Sequence, residues 1–341
     1  MRVIGQVASL MLDYLKSYVL EGGYKAHGRS GEVLKNALHD EAFLTWVSAY
    51  EEFIPGFKEK LAEMLMDLSA PRGDLLEIFR KGLIQVLSIE NIEILESRLE
   101  KATLIPFEEY ARWAREYLPK RTRIEVDVYL TVDPFNQGMI RPGKVFLSIL
   151  QEEFTEELLK GLAHEFHHAG AFYWLDRNQK LKALKSSDEH ARMLAEIFTY
   201  FVTEGLANWY FSLSRLKLLP DVENRMERIK RLEEEMPQLI KTTEQLLEWI
   251  CEHHEPIEDI RALFNSLSMD TSGYGIPAGH FLSGRMVGIM DNSNVSREEI
   301  IELVKHPFNF FDLYNKVAPE NIKLNAALLE KIRSKIEEWT E

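Results

Sequence analysis

Within the run LLKGLAHEFHHAGAFYWL, residues 158–175, stand His164, Glu165, His167 and His168. Imidazoles and carboxylates are costly to bury without a partner, yet their neighbours are Leu162, Ala163, Phe166, Ala169 and Phe172. His164, Glu165 and His168 spell H-E-x-x-H. On an α-helix, residues four apart share a face, about 6 Å apart along the axis. Two imidazoles so placed can converge on one metal ion while the intervening Glu addresses water there. Zinc suits two neutral imidazole nitrogens and a carboxylate, with a fourth position left for water. His167 lies three residues after His164 and reaches a similar face. Because the chemistry uses the four-residue spacing, His168 is the expected ligand and His167 a supporting or rim residue.

A third ligand is required. The longer H-E-x-x-H-x-x-G-x-x-H pattern is excluded, since Ala171 stands where it needs Gly and Trp174 where it needs His. The run FVTEGLANWY supplies Glu204 instead, a carboxylate amid apolar residues that needs a cationic partner. Glu196, two turns earlier, is the main rival, with Glu189 and His190 weaker because they lie at the helix start. Arg192 is the competing partner for Glu204. Gly205 and Ala207 would let this helix approach a neighbour closely, and Asn208 is expected to accept a hydrogen bond from a ligand imidazole.

H-E-x-x-H followed by a helix carrying E-G-L-A-N resembles the gluzincin class of zinc metallopeptidases. More narrowly, it is similar to a group of uncharacterised zinc-dependent peptidases from microbes, which also carry a Tyr- and Gly-containing segment and then a helical tail. The likeness covers roughly residues 123 to 320. It implies His164, His168 and Glu204 as ligands of Zn2+, Glu165 as base, a thermolysin-like core and a peptide or protein substrate. Two departures stand out: 36 positions separate His168 from Glu204 (204 − 168), and Asn208 stands where several members place an aspartate. The mechanism also needs an oxyanion donor besides the metal, for which Tyr274 and His280 in the Gly-rich segment TSGYGIPAGHFLSGRMV are the candidates. The same chemistry would serve a non-peptide amide or ester, and a non-catalytic scaffold with a relict zinc site remains the third reading.

The elements that must position these groups are mostly helical. Residues 1 to about 118 follow helix periodicity, as in LLEIFRKGLIQVL, with breaks at 21–32, Pro55-Gly56 and 69–74. RIEVDVYLTV, residues 123–132, alternates and is expected as a half-buried strand, DPFNQGMIRPG as a turn, and KVFLSIL as a second strand. The KVFLSIL strand is a candidate edge for an extended peptide substrate. Helices resume at Thr155, an N-cap with Phe154 and Leu159 as a hydrophobic staple. A polar loop then leads to the Glu204 helix through a Ser186–Glu189 capping box, and a charged helical region over 221–252 is expected to break at Pro237. The fold class is α+β, predominantly helical, with a helical region over 1–120 and a zincin-like domain over 121–341.

The chain has 341 residues with 41 Lys and Arg against 55 Asp and Glu, a net charge of −14. That acidity argues against a nucleic-acid partner. One cysteine, Cys251, excludes an internal disulfide and fits a cytoplasmic setting. Gln6, Asp13 and Lys16 interrupt the apolar N-terminus, so an amphipathic helix is expected there rather than an export signal, and no window is apolar enough for a membrane span. WICEHHEP offers Cys251, His253, His254 and Glu255, but in no spacing that zinc sites use. A helix C-terminus that favours cations explains those histidines without a metal.

Overall fold

The computed structural model describes residues 1–23, 25–51, 54–72, 76–136, 138–150, 156–212, 222–253, 255–269 and 276–341. Two compact units divide the chain: residues 1–109 with 125–158, and residues 110–124 with 159–341. Helix predominates in both, and the described strands all fall in the first.

In the first unit, β1 (Val3–Ile4) leads into α1 (Gln6–Leu20), α2 (Gly28–Ala37), α3 (Glu41–Glu51), α4 (Phe57–Met66), α5 (Leu76–Gln85) and α6 (Ile89–Thr103). Helix α7 (Phe107–Arg115) begins in this unit and belongs to the second from Tyr110 on; β2 (Asp127–Thr131), β3 (Gly138–Arg141) and β4 (Lys144–Ser148) are again in the first. The sheet order is β1-β2-β4-β3, with β1, β2 and β4 parallel and β3 antiparallel to β4. Val128 pairs with Val145 and Leu130 with Leu147. Residues on both faces of β2 and β4 are buried, as parallel strands require. The half-buried reading of the 123–132 strand is therefore corrected, and pairing begins only at Asp127. Within the expected turn 133–143, Gly138–Arg141 is extended and forms the sheet's edge, closed by a tight turn with Gly143 at φ +72°. Strand β4 is interior, hydrogen-bonded on both sides, so KVFLSIL offers no free edge to a peptide. Trp46, at the centre of an aromatic cluster with Phe43, Tyr50, Phe57 and Phe79, donates to the buried carboxylate of Asp133. Tyr50 donates to the same carboxylate, as do the amides of Phe135 and Asn136.

The second unit contains α8 (Glu156–Leu175), α9 (Gln179–Ser186), α10 (Glu189–Ala207) and a π-helical turn over Asn208–Ser212. Helices α11 (Val222–Glu252), α12 (Ile257–Ser268), α13 (Ala278–Asp291), α14 (Arg297–Glu302), α15 (Phe310–Val317) and α16 (Ala326–Thr340) complete it. Several local expectations change. The polar loop after α8 contains α9, with Ser186 its last residue, and Asp188 rather than Ser186 caps α10 by accepting from the Ala191 amide. Helix α11 runs through Pro237 unbroken. The Thr155 cap with its Phe154–Leu159 staple and Tyr274 lie outside the described residues or side chains. No helix among the described residues is long and apolar enough to cross a membrane.

Candidate functional site

Helix α8 carries two stripes with different work. On one, His167 Nε2 donates to the Tyr117 carbonyl at 3.1 Å, and Trp174 Nε1 donates to Thr122 Oγ1 at 2.7 Å. Between them lies Gly170, where a Cβ would stand 2.3 Å from Leu118 Cδ1 and 3.0 Å from Thr122 Cγ2 and would displace those side chains. Positions 167, 170 and 174 are spaced by three and four, so residues 117–124 grip a single face of the helix. His167 is fully buried there against Phe211. It is neither at a rim nor turned toward the other histidines' nitrogens, and burial, with the neighbouring His168, pushes its pKa down to about 3.

A different stripe presents His164 and His168. Their Nε2 atoms face each other at 2.9 Å with the rings nearly perpendicular. Glu204 enters from α10: Oε1 lies 3.3 Å from His168 Nε2, and Oε2 lies 3.7 Å from His164 Nε2. One donor atom from each of the three residues falls within 4.8 Å of the others. Their side chains are only 12%, 6% and 17% exposed. Glu165, beside His164, is half-buried.

Close packing of α10 on α13 sets the depth of Glu204. A Cβ at Gly205 would stand 3.0 Å from the Ser283 carbonyl oxygen and 3.0 Å from Val287 Cγ2, so the expected role of a small residue here holds. The approach also brings His280 Nε2 to 3.2 Å from Glu204 Oε2. His280 is thus in the first turn of α13, not in a Gly-rich loop, and it addresses Glu204. Asn208 Nδ2 donates to the Glu204 carbonyl at 2.9 Å and to Oε2 at 3.0 Å. The sequence expectation had Asn208 accepting from an imidazole; one turn of helix places it over the carboxylate of its own i−4 residue instead. The imidazole partner is Ser212, whose Oγ is 2.7 Å from His164 Nδ1. Ser212 lies in the π-helical turn, a feature frequent at functional sites, and nothing in NWYFS marks it in advance. His168 Nδ1 is buried without a hydrogen-bond partner among the described residues, so its tautomer is not set from that side.

Protonation states suit a cation. Burial, then the charge of His168, pushes His164 well below the ordinary imidazole range, and burial lowers His168 as well. Burial would raise Glu204, but His280, His168, His164 and the Asn208 hydrogen bond outweigh it and hold the carboxyl low. Unprotonated His164 and His168 with an ionised Glu204 would be the donor set a divalent zinc ion needs, the ion then replacing imidazole protons as the positive charge beside the carboxylate. A buried anion with three imidazoles around it fits that group, and no Lys or Arg is paired with it among the described residues. Glu196, the rival ligand, points elsewhere: its side chain is 45% exposed and lies 3.6 Å from Arg261. Arg192 hydrogen-bonds the Lys185 carbonyl rather than Glu204.

A second group, Asp188, His190 and His253, has donor atoms within 4.8 Å. Its imidazoles are stacked, with centroids 4.3 Å apart and planes 12° apart, and Trp339 also stacks on His253, with centroids 5.6 Å apart and planes 18° apart. Imidazole lone pairs lie in the ring plane, so two parallel stacked rings share no point both can ligate. Stacking accounts for these histidines. Cys251 is buried, and burial pushes its thiol up to about 11.

Residues 87–323 match the family described as "Putative zinc dependent peptidase (DUF5700)". The chain belongs to this family. The matched span contains H-E-x-x-H, Glu204, Ser212 and His280. No curated protein and no solved structure matches the chain.

Proposed function

We propose that this protein is a zinc metallopeptidase of gluzincin type, with His164, His168 and Glu204 as the ligands. The observation that carries the reading is the clustering of donor atoms from His164, His168 and Glu204 within 4.8 Å of one another, in a chain whose family is described as zinc-dependent. Bound zinc supplies Lewis acidity, which polarises a scissile carbonyl and brings the pKa of water toward neutrality.

The chain's own groups do the rest. Glu165, one residue from His164 on α8, accepts a proton from the attacking water and returns it to the leaving amine. Ser212 holds His164 through Nδ1, which leaves Nε2 to face Glu204. Asn208 and His280 hold Glu204 Oε2, which aims Oε1 at His168. Peptide bonds in a peptide or protein are the substrate class, and the zincin-like arrangement of helix, motif and downstream Glu is the frame of the proposal.

The test combines elemental analysis with hydrolysis of a mixed peptide library by wild type and by Glu165→Gln. One zinc per chain in both proteins, with turnover reduced about 10²- to 10⁴-fold in the variant, is the expected result. Protein that takes up no zinc at micromolar free metal refutes the reading.

A further inference from the structure

We propose that Tyr200 is a positioning residue: it fixes His280 as an Nε2–H donor to Glu204 Oε2, so that Glu204 presents Oε1 alone to the ion between His164 and His168. The inference rests on the reading of Glu204 as a ligand and goes beyond it to the number of oxygens that ligand offers.

Three observations carry it. The hydroxyl of Tyr200, one turn before Glu204 on α10, lies 2.8 Å from His280 Nδ1, while the opposite ring nitrogen of His280 lies 3.2 Å from Glu204 Oε2. A neutral imidazole has one N–H and one lone pair. Placing the proton on Nδ1 would turn the bare Nε2 lone pair toward a carboxylate oxygen. Placing it on Nε2 gives a donor to the carboxylate and lets Nδ1 accept from the tyrosine hydroxyl. Of the two neutral tautomers, only the second makes both contacts attractive.

The tyrosine can reach His280 because of Gly279. A Cβ at that position would stand 2.7 Å from the Tyr200 hydroxyl and 3.0 Å from the Leu267 carbonyl oxygen. Any side chain there would push the phenol away from the first turn of α13. The Tyr200 ring is steadied from outside by Phe264, edge-on at 5.2 Å. The third observation is the division of labour at Glu204. Oε2 meets Asn208 Nδ2 at 3.0 Å and His280 Nε2 at 3.2 Å and stands off His164 Nε2 at 3.7 Å, whereas Oε1 is closer to its imidazole, 3.3 Å from His168 Nε2. With Oε2 occupied by two donors, one-oxygen coordination is favoured. It keeps the coordination number low and leaves room for water and substrate.

Two readouts test this without relying on turnover. In metal-free protein with 15N-labelled histidine, long-range 15N–1H correlation reports the tautomer of His280. The expected result is Nε2–H in wild type and loss of that single tautomer in Tyr200→Phe. Zinc affinity is then measured by chelator competition in a double-mutant cycle with His280→Gln, whose amide supplies a donor near the Nε2 position without needing the tyrosine. Tyr200→Phe should weaken zinc binding about tenfold in the wild-type background, the scale of losing an outer hydrogen-bond partner. In the His280→Gln background it should change binding less than twofold. An Nδ1–H tautomer, or an equal loss in both backgrounds, overturns the inference. Coupling of His280 to bound cadmium-113 also overturns it, because the imidazole would then be a ligand. Wild-type protein that binds no zinc instead removes the ligand reading beneath it, a distinct outcome.

Discussion

Gly205→Ala tests whether the contact between α10 and α13 places Glu204. In an isolated helix the change is favourable, since Ala exceeds Gly by about 1 kcal/mol. Here the new Cβ meets the Ser283 carbonyl oxygen and Val287 Cγ2 at 3.0 Å, and the Ser283 carbonyl carbon at 3.3 Å. Val287 could rotate, but a carbonyl inside α13 moves only with its helix. Overpacking of this kind costs about 1–3 kcal/mol, so the two effects leave a net loss of roughly 1 kcal/mol. Gly31→Ala in α2 is the matched control, because its nearest atoms would be 3.9 Å away, ordinary contact distance. There the helical gain of about 0.5–1 kcal/mol should survive. Amide hydrogen exchange in α10 and in α2 reads each local opening free energy separately. The expected signs are opposite. A shift of a few tenths of an ångström at α10–α13 should also draw His280 from Glu204 and weaken zinc binding severalfold in Gly205→Ala. Stabilisation of α10 equal to that of α2, with zinc affinity unchanged, would refute the claim that this contact sets the site.

Other outcomes follow from the same geometry. Ser212→Ala removes the partner of His164 Nδ1 and should weaken zinc binding by about tenfold or more with little change in the far-ultraviolet circular dichroism, as measured by chelator competition. His253 is pushed below the ordinary imidazole value by burial and then by the charge of His190, with Lys335 acting the same way and Asp188 and Glu338 opposing. Its proton is therefore bound more readily when α16 and α11 come apart, so the stability of this packing is present above the ordinary imidazole range and falls as pH drops through it. Hydrogen exchange in α16 should accelerate below about pH 6.5, and a rate indifferent to pH, after correction for intrinsic exchange, would contradict the stacked arrangement. Cys251, with its thiol pushed up to about 11, should resist iodoacetamide at pH 8 in native protein and react fully in denaturant. Fast alkylation of the native protein would place it at the surface.

The sequence by itself determined what lies within one or two turns of helix. H-E-x-x-H puts His164 and His168 on one face because 3.6 residues make a turn, and an anion buried in FVTEGLANWY demands a cationic partner wherever the helix goes. The long apolar helices were legible for the same reason, as was strand structure within 123–132 and 144–150, which is realised over 127–131 and 144–148: their periods are written locally. Errors arose where context beyond the segment decides. The edge strand at 138–141 pairs with β4 despite its turn-like composition, the helix passes through Pro237, and β4 is interior because Val3–Ile4 and β2 extend the sheet from the other side. Alternation cannot reveal how many strands flank a given one.

Tertiary structure alone decided who supports the donors. Ser212, Tyr200 and His280 sit 48, 36 and 116 positions from His164 (212 − 164, 200 − 164, 280 − 164). Their proximity depends on the π-helical turn and on backbone contact at Gly205 and Gly279. Hydrogen-bond partnership requires placement within a few tenths of an ångström, and residue types along a chain carry no information at that precision until the helices have packed. The chemistry of the donors was local; their orientation was not.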